Sequence, residues 1–260
     1  MTSLLPEPYY SEAQEVFRQA TNQTELMLDH LVAHVPDHER LSVLSVGSGV
    51  GLFELPMLSR LHRDGHRVSR FVGIDSSAHA CTVLRRKLQE AGWTGLEFAV
   101  IATPFEAYMP TQRFDIVVFN HVFEYLPGEP VAWAHKATGL LAAGGKVLIF
   151  SPNRGGLNQI YEEEFIEHLG APPFFADDIE RMLQNEGDAY AMESVEADCD
   201  LSLLLRDGDD PEQTMLLSFL TQRDCRGIPA DLRHRYVDYY LSLRPPGSNA
   251  GPHPATLLVL

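Results

Sequence analysis

The chain has 260 residues, of which 45% are hydrophobic, enough for one well-filled core. Its formal net charge of −16 comes from 36 acidic and 20 basic residues, and it disfavours nucleic acid and anionic membranes as partners. The three cysteines lie far apart without a CxxC pair, which argues against a disulfide framework or a zinc site and suits the reducing cytoplasm. No apolar stretch approaches the roughly 18–20 residues that span a bilayer, and residues 1–10 do not resemble a secretory signal.

The N-terminal region predicts one long amphipathic helix. Apolar side chains recur at helical spacing over residues 11–35. Ser11, followed three residues later by Gln14, is a capping-box signal for the start of this helix. Glu25 lies on the shoulder of the apolar stripe, not opposite it.

Strand-like and helix-like patterns alternate from residue 41 to about residue 152. Short runs rich in Val and Ile predict strands over residues 41–46, 70–75, 96–101, 114–120 and 146–150. Helices are predicted between them, for instance over residues 78–92 and 131–141. This alternation indicates βαβ units, a parallel sheet and an α/β fold.

The C-terminal part mixes helices and strands. Residues 153–157 predict a flexible segment, followed by a helix to about residue 168 and a break at residues 171–173. Further helices are predicted over residues 177–186, 211–221 and 229–243, and strands over residues 190–197 and 255–260. Without repeats or a clear linker, we predict a single domain over residues 1–260. Its parts are an N-terminal helical cap (1–40), a ligand-binding core (41–152), a lid and helix (153–188), and C-terminal strands and helices (189–260).

A glycine-rich loop follows the first predicted strand. Its sequence, VGSGVG at residues 46–51, lets the backbone turn sharply and approach a ligand at the start of a helix. Dinucleotide sites prefer GxGxxG, which would place glycine at position 52, where this chain has Leu52. The pattern is instead GxGxG.

This loop resembles that of class I S-adenosylmethionine-dependent methyltransferases, and further motifs follow in the family's order. Asp75 ends the second strand, where an acidic side chain can accept hydrogen bonds from ribose hydroxyls. Residues 102–104 follow the third strand, where the family contacts adenine. Residues 114–121 resemble the segment beside the methyl donor, and residues 142–146 resemble the turn into the fifth strand. The cofactor-binding residues that this resemblance implies are Gly47, Ser48, Gly49, Gly51, Asp75, Ser76, Thr103 and Asn120.

The same resemblance implies a Rossmann-like fold with S-adenosyl-L-methionine as cofactor. We expect a seven-stranded, mostly parallel sheet in the order 3-2-1-4-5-7-6, with the last-formed strand antiparallel. Helices should cover both faces, and an N-terminal and lid helical cap should lie above the sheet. The lid, residues 155–173, is expected to order over the substrate.

Nearly the whole chain also resembles the histamine N-methyltransferase family. The likeness rests on residues 9–25 and 44–51, and on C-terminal segments at residues 177–183, 200–202, 218–221 and 229–233. It implies that substrate is bound by Phe17, Glu25, Tyr125, Tyr161 and Phe219. The chain departs from the family at His121, Glu124 and Leu157, where the family has glutamine, tyrosine and tryptophan, respectively. Ala255 or Thr256 stands near a family asparagine. The substrate's identity therefore does not transfer.

These residues suggest a chemistry for the site. Methyl transfer from a sulfonium needs alignment and exclusion of water, which contribute about 7–11 kcal/mol. Imidazole, with a pKa near ~6.5, is largely neutral in the cytosol, whereas an alkylamine near ~10 needs a base, and His121 is the candidate catalytic base. Glu25 and Glu124 would hold a cationic or N–H group within an aromatic cage.

The leading hypothesis is methylation of a nitrogen of a small imidazole or amine metabolite, which the acidic surface would attract if cationic. One alternative is an O- or carboxyl-methyltransferase of a natural-product intermediate, with His121 as base for a hydroxyl. Another is a non-catalytic module that binds S-adenosylmethionine. The other ten histidines show no metal-ligand spacing, so no metal is expected.

Overall fold

The computed structural model describes residues 5–206 and 210–260; predictions for residues 1–4 and 207–209 lie outside it. The α-helices are α1 (Tyr9–Ala20), α2 (Gln23–Ala33), α3 (Glu54–Arg63), α4 (Ala78–Ala91), α5 (Pro130–Thr138), α6 (Gln159–Leu169), α7 (Ala176–Glu186), α8 (Pro211–Thr221) and α9 (Ala230–Ser242). The strands are β1 (Leu41–Val46), β2 (Val68–Asp75), β3 (Glu97–Ala102), β4 (Phe114–Asn120), β5 (Leu141–Pro152), β6 (Ala191–Val195), β7 (Asp198–Asp200), β8 (Ala250–Pro252) and β9 (Ala255–Val259).

Seven strands form one twisted sheet in the order β3-β2-β1-β4-β5-β9-β6. Strands β1 to β5 pair in parallel, and β9 runs antiparallel between β5 and β6. The last-formed strand thus inserts beside β5, which confirms the expected order and the Rossmann-like methyltransferase fold. Because the carboxyl ends of parallel strands meet at one edge, the loops after β1, β2, β3 and β4 converge there.

Two apolar layers cover the sheet, because alternate side chains of each strand face opposite sides. Val43, Phe71 and Ile116 pack against α2, α3 and α4 on one face. Leu44 and Val117 pack against α5 and α7 on the other. Helices therefore lie on both faces, as expected.

A helical cap lies beside the carboxyl edge of the sheet. It is built from α1, α6, α8 and α9 around a third apolar cluster that includes Phe17, Ile160, Leu217 and Tyr240. Tyr9 on α1 bonds Ser218 on α8 through their hydroxyl oxygens, 3.0 Å apart. The expected lid is thus an ordered part of this cap: α6 packs against α8.

The single N-terminal helix predicted over residues 11–35 is wrong. The chain forms α1 and α2, separated by Thr21, whose backbone is extended and bridges Cys199. The Thr21 hydroxyl donates to the carbonyl oxygen of Asp198 at 2.9 Å. The capping box is also wrong, because α1 begins at Tyr9 and the Ser11 hydroxyl instead donates to the Glu7 carboxylate.

Three further elements differ from the prediction. Strand β5 begins at Leu141, so the expected turn at residues 142–146 is part of the strand. The short antiparallel pair β7–β8 forms a separate two-stranded sheet in segments for which no strand was predicted. Helix α3 starts three residues beyond the glycine-rich loop, at Glu54.

No helix in the described ranges is both long and apolar enough to cross a membrane.

Candidate active site

The glycine-rich loop leaves β1 in a conformation that glycine favours. The φ angles are +68° at Gly47 and +51° at Gly49. The amides of Gly47 and Ser48 donate to the carbonyl oxygen of Ile74 at 2.8 and 3.0 Å, which ties the loop to β2. A Cβ at position 47 would lie 2.5 Å from Cγ2 of Val122. Glycine is therefore required there both by the backbone angle and by the close approach to Val122.

Asp75 lies at the end of β2 beside this loop. Its Oδ2 accepts the Gly49 amide at 2.9 Å, and its Oδ1 accepts the Ser77 amide at 2.8 Å. Burial raises the pKa of Asp75, while these two hydrogen bonds favour the carboxylate. Each oxygen keeps a second lone pair for a ligand hydroxyl. The backbone bonds thus aim the carboxylate, and its remaining acceptor positions are available to the adjoining cavity.

The loop cavity, as we call the space bounded by α1, the glycine-rich loop and the end of β4, encloses about 870 Å³, part of it open to solvent. The predicted cofactor residues that line it are Gly47, Gly49, Asp75, Ser76 and Asn120. Thr103 lies in a smaller adjoining pocket that also includes Asp75 and Phe105. Ser48 and Gly51 do not line either space. Ser48 is buried with its hydroxyl toward Ile74, and a Cβ on Gly51 would press on Leu84, so both support the loop from behind.

The end of β4 presents two polar residues. The amide oxygen of Asn120 is buried and has no hydrogen-bond partner among the described residues. His121 has a φ of +52°, a left-handed conformation that costs a non-glycine residue about 1–2 kcal/mol. Its amide donates to the carbonyl oxygen of Phe150 at 2.9 Å, which holds this turn. The turn places His121 in the wall of the loop cavity and of a second cavity.

This second space, the aromatic cavity, adjoins the loop cavity through Tyr10, Gln14, His121 and Tyr125. It encloses about 570 Å³, part of it open to solvent. The predicted substrate residues that line it are Phe17, Glu124, Tyr125, Tyr161 and Phe219. The rings of Phe17 and Phe219 stack with their centroids 4.5 Å apart. The structure therefore brings these residues together, although they come from distant parts of the chain.

Glu25, which was predicted to bind substrate, is not among them. It is exposed on α2 and lines neither cavity. Its assignment came from the resemblance to the histamine N-methyltransferase family, and its place beside the apolar stripe assumed a single N-terminal helix, which Thr21 interrupts. Gln23, two residues earlier, is fully buried and lines the aromatic cavity instead.

Gln23 orients two histidines. Its amide oxygen lies 2.8 Å from Nε2 of His121, and its amide nitrogen donates to the carbonyl oxygen of His253 at 3.0 Å. This network assigns the His121 proton to Nε2 and leaves the lone pair on Nδ1, which has no hydrogen bond to the described residues. His253 was expected to be unremarkable, yet it is buried, lines the cavity and meets the Phe17 ring edge-on. Nothing in the local sequence distinguishes it from a loop histidine.

The charges in the aromatic cavity are unusual. Burial, with help from Arg18, lowers the pKa of His121 well below its ordinary value and that of His253 to about 3. Burial raises the pKa of Glu124 to about 8. At neutral pH both imidazoles and the carboxyl are therefore mostly uncharged. Arg18, which the sequence did not single out, contributes a guanidinium to the same cavity.

Comparison with known proteins identifies the fold and a methyltransferase domain within the chain. Residues 44–147 match the family described as Methyltransferase domain. The structure is similar to the YcgJ protein from Bacillus subtilis, with a TM-score of 0.59 and 14% identity, covering 90% of this chain and 96% of that chain. It is also similar to the plantazolicin methyltransferase BpumL in complex with S-adenosylhomocysteine (SAH), with a TM-score of 0.55 and 13% identity, covering 99% and 92% of the two chains. The matched segment and these neighbours support an S-adenosylmethionine-dependent methyltransferase with a Rossmann-like fold.

A curated relative of this methyltransferase is a much larger protein. Over 117 residues the chain is 29% identical to the probable non-canonical nonribosomal peptide synthetase CymA of Salinispora arenicola. The match spans 44% of this chain and 1% of the synthetase. It therefore relates the methyltransferase to one small part of CymA.

The loop cavity fits the family's cofactor, S-adenosylmethionine. The buried, unpartnered oxygen of Asn120 is an acceptor suited to an ammonium group. The free acceptor positions of Asp75 suit ribose hydroxyls. The left-handed glycines keep side chains out of the space that the loop encloses. These residues of the methyltransferase would hold the cofactor beside His121.

Proposed function

We propose that this methyltransferase transfers the methyl group of S-adenosylmethionine to a nitrogen atom of a small imidazole- or amine-bearing molecule in the aromatic cavity. The observation that carries the proposal is the position of His121. It lies where the two cavities meet, with Nε2 bonded to Gln23 and with Nδ1 3.9 Å from Oε1 of Glu124 and not hydrogen-bonded to any described residue. A proton acceptor at that junction is what a nitrogen acceptor needs as it gains a methyl group.

The cofactor supplies an activated methyl group on its sulfonium. The rings of Phe17, Tyr161 and Phe219 would bind a flat acceptor and exclude water. Because the pKa of His121 is held well below its ordinary value, its Nδ1 is unprotonated throughout the physiological range. Nδ1 is thus available to take the proton that the methylated product releases, which leaves the methylated nitrogen of an amine or the second ring nitrogen of an imidazole.

The acceptor nitrogen is proposed to be neutral when bound, which revises the expectation of a cationic substrate. That expectation depended on Glu25, which is outside the cavity, and on Glu124, whose carboxyl has a pKa of about 8. The guanidinium of Arg18 in the same cavity would repel a cation. A neutral imidazole satisfies these conditions better than an ammonium group.

The likeness to the histamine N-methyltransferase family supports the shared aromatic walls but not the amine-binding acid. Leu157, at a family tryptophan position, is buried in the cap. The Thr256 hydroxyl, near a family asparagine position, donates to the Asn153 side chain at 2.8 Å. We infer a related cavity that takes a different acceptor.

The three cysteines are buried and free, so we also propose that the protein resides in a reducing compartment such as the cytoplasm.

Methylation of an oxygen is the second candidate. The free Nδ1 of His121 would accept a hydroxyl proton as readily as one from nitrogen, and the relative BpumL, named as a plantazolicin methyltransferase, is compatible with a natural-product acceptor. The two candidates differ in their products: a methyl ether or methyl ester has its new methyl group on oxygen, and NMR distinguishes it from an N-methyl group.

The test is turnover with isotopically labelled S-adenosylmethionine on matched imidazole, amine, phenol and carboxylic acid acceptors, with products assigned by mass spectrometry and NMR. We expect N-methyl products, with imidazoles first. His121→Asn should lower kcat by about 10²–10⁴-fold while SAH affinity is unchanged, since asparagine tolerates the left-handed backbone. His79→Asn, at an exposed histidine of α4, is the control. Products on oxygen alone would favour the second candidate, and SAH binding without any turnover would favour a non-catalytic module.

A further inference from the structure

Arg18 is the one cation that lines the aromatic cavity among the described residues. It lies on α1, one turn beyond Gln14, which lines both cavities. One terminal nitrogen, Nη1, donates to the Thr24 hydroxyl at 2.6 Å. Its Nε is buried and has no hydrogen-bond partner within the described ranges. The guanidinium is therefore held in place by a neutral group and keeps donors unused.

Within residues 5–206 and 210–260, no carboxylate forms an ion pair with this guanidinium. Glu54 acts on it electrostatically, but the Glu54 carboxyl bonds the Ser45 hydroxyl at 2.7 Å, and burial raises its pKa to about 7. Glu124, in the same cavity, is mostly neutral at neutral pH. Arg18 is half-buried with its Nε fully enclosed, and an unpaired charge in such a place is costly unless a ligand completes it.

We propose that Arg18 binds a carboxylate group of the methyl acceptor. The proposal rests on the proposed function, because it places that carboxylate in the aromatic cavity with the acceptor nitrogen near His121. The planar guanidinium is suited to a carboxylate, and a neutral heterocycle bearing an acid group would satisfy both Arg18 and the aromatic walls. The cofactor also has a carboxylate. The position of Arg18 favours the acceptor's carboxylate over the cofactor's as its partner, since Arg18 lines the aromatic cavity and not the loop cavity.

The experiment measures binding to SAH-saturated protein, so it requires no turnover. Two matched pairs of probes differ chiefly in a carboxylate: imidazole-4-acetate with 4-methylimidazole, and benzoate with benzamide. We expect at least one carboxylate to bind about tenfold or more tighter than its partner, as a charge-assisted hydrogen bond allows. Arg18→Gln should abolish that preference, and Arg18→Lys should retain part of it. Arg63→Gln, at an arginine of α3 whose side chain is 72% exposed, should leave it intact.

SAH affinity is measured separately for each variant. Unchanged SAH affinity together with the lost preference supports the proposal. If Arg18→Gln instead weakens SAH binding and leaves the probe preference unaltered, Arg18 holds the cofactor's own carboxylate and the proposal is overturned. It is equally overturned if neither carboxylate is preferred by the intact protein. Failure of the proposed function would appear differently, as absence of N-methyl products in the turnover assay.

Discussion

Replacing Glu124 with glutamine should change how the stability of the protein depends on pH. The Glu124 side chain is buried, its Oε2 has no hydrogen-bond partner among the described residues, and its pKa rises from 4.5 to about 8. Between pH 4.5 and about 8 the Glu124 carboxyl is therefore protonated in the folded state and ionised in the unfolded state. The free energy of unfolding consequently falls as pH rises through that window. At about 1.4 kcal/mol per pKa unit, the carboxyl costs the folded state about 3 kcal/mol at pH 7. Glutamine has nearly the same shape and cannot ionise.

The measurement is urea unfolding, followed by circular dichroism, of both proteins at pH 5, 6, 7 and 8. We expect the free energies of unfolding to differ little near pH 5, and the Glu124→Gln variant to gain about 3 kcal/mol over the wild type by pH 7. Glu54 titrates in both proteins and cancels in the difference. Glu15→Gln, at an exposed position of α1, should show no such divergence. Parallel curves for the wild type and the Glu124→Gln variant would refute the raised pKa.

Two further predictions concern the cofactor loop. Gly47→Ala should weaken SAH binding in calorimetry by at least about tenfold, because the new Cβ would press on Val122. Gly65→Ala shares the left-handed backbone, with a φ of +88°, but has open space around it, so equal losses in both variants would contradict the steric argument. Asp75→Asn should weaken S-adenosylmethionine binding by about 10–100-fold, since it removes a charged acceptor. Retained affinity in that variant would mean that Asp75 only shapes the loop.

The sheet was predictable because its signals are local. Each parallel strand is a short Val- and Ile-rich run, and the GxGxG loop and Asp75 directly follow two of them. The sheet order itself was predicted from the resemblance to class I methyltransferases, not from the spacing of these motifs. The aromatic walls, in contrast, were predicted only through a family resemblance, since Phe17 and Phe219 do not differ in sequence from ordinary core residues.

The errors arose where tertiary contacts decide. Thr21 interrupts the N-terminal helix because it pairs with Cys199, about 180 residues later, and Asn22 accepts the Asp198 amide at 2.9 Å. The hydrophobic periodicity of the N-terminal segment carries no information about a contact with so distant a part of the chain. Glu25 was assigned through the family resemblance, and neither that resemblance nor the helical pattern singled out Gln23.

Electrostatic interaction in the aromatic cavity couples the two roles proposed for it, which are carboxylate binding by Arg18 and proton acceptance by His121. The charge of Arg18 is one cause of the low pKa of His121, after burial. A carboxylate bound to Arg18 would offset that charge, so the pKa of His121 would rise toward its ordinary value only when an acceptor is bound. His121 would then be a weak proton acceptor in the free enzyme and a stronger one in the complex. Because Gln23 fixes the proton on Nε2, this gain in basicity would fall on Nδ1, the nitrogen left free for the acceptor.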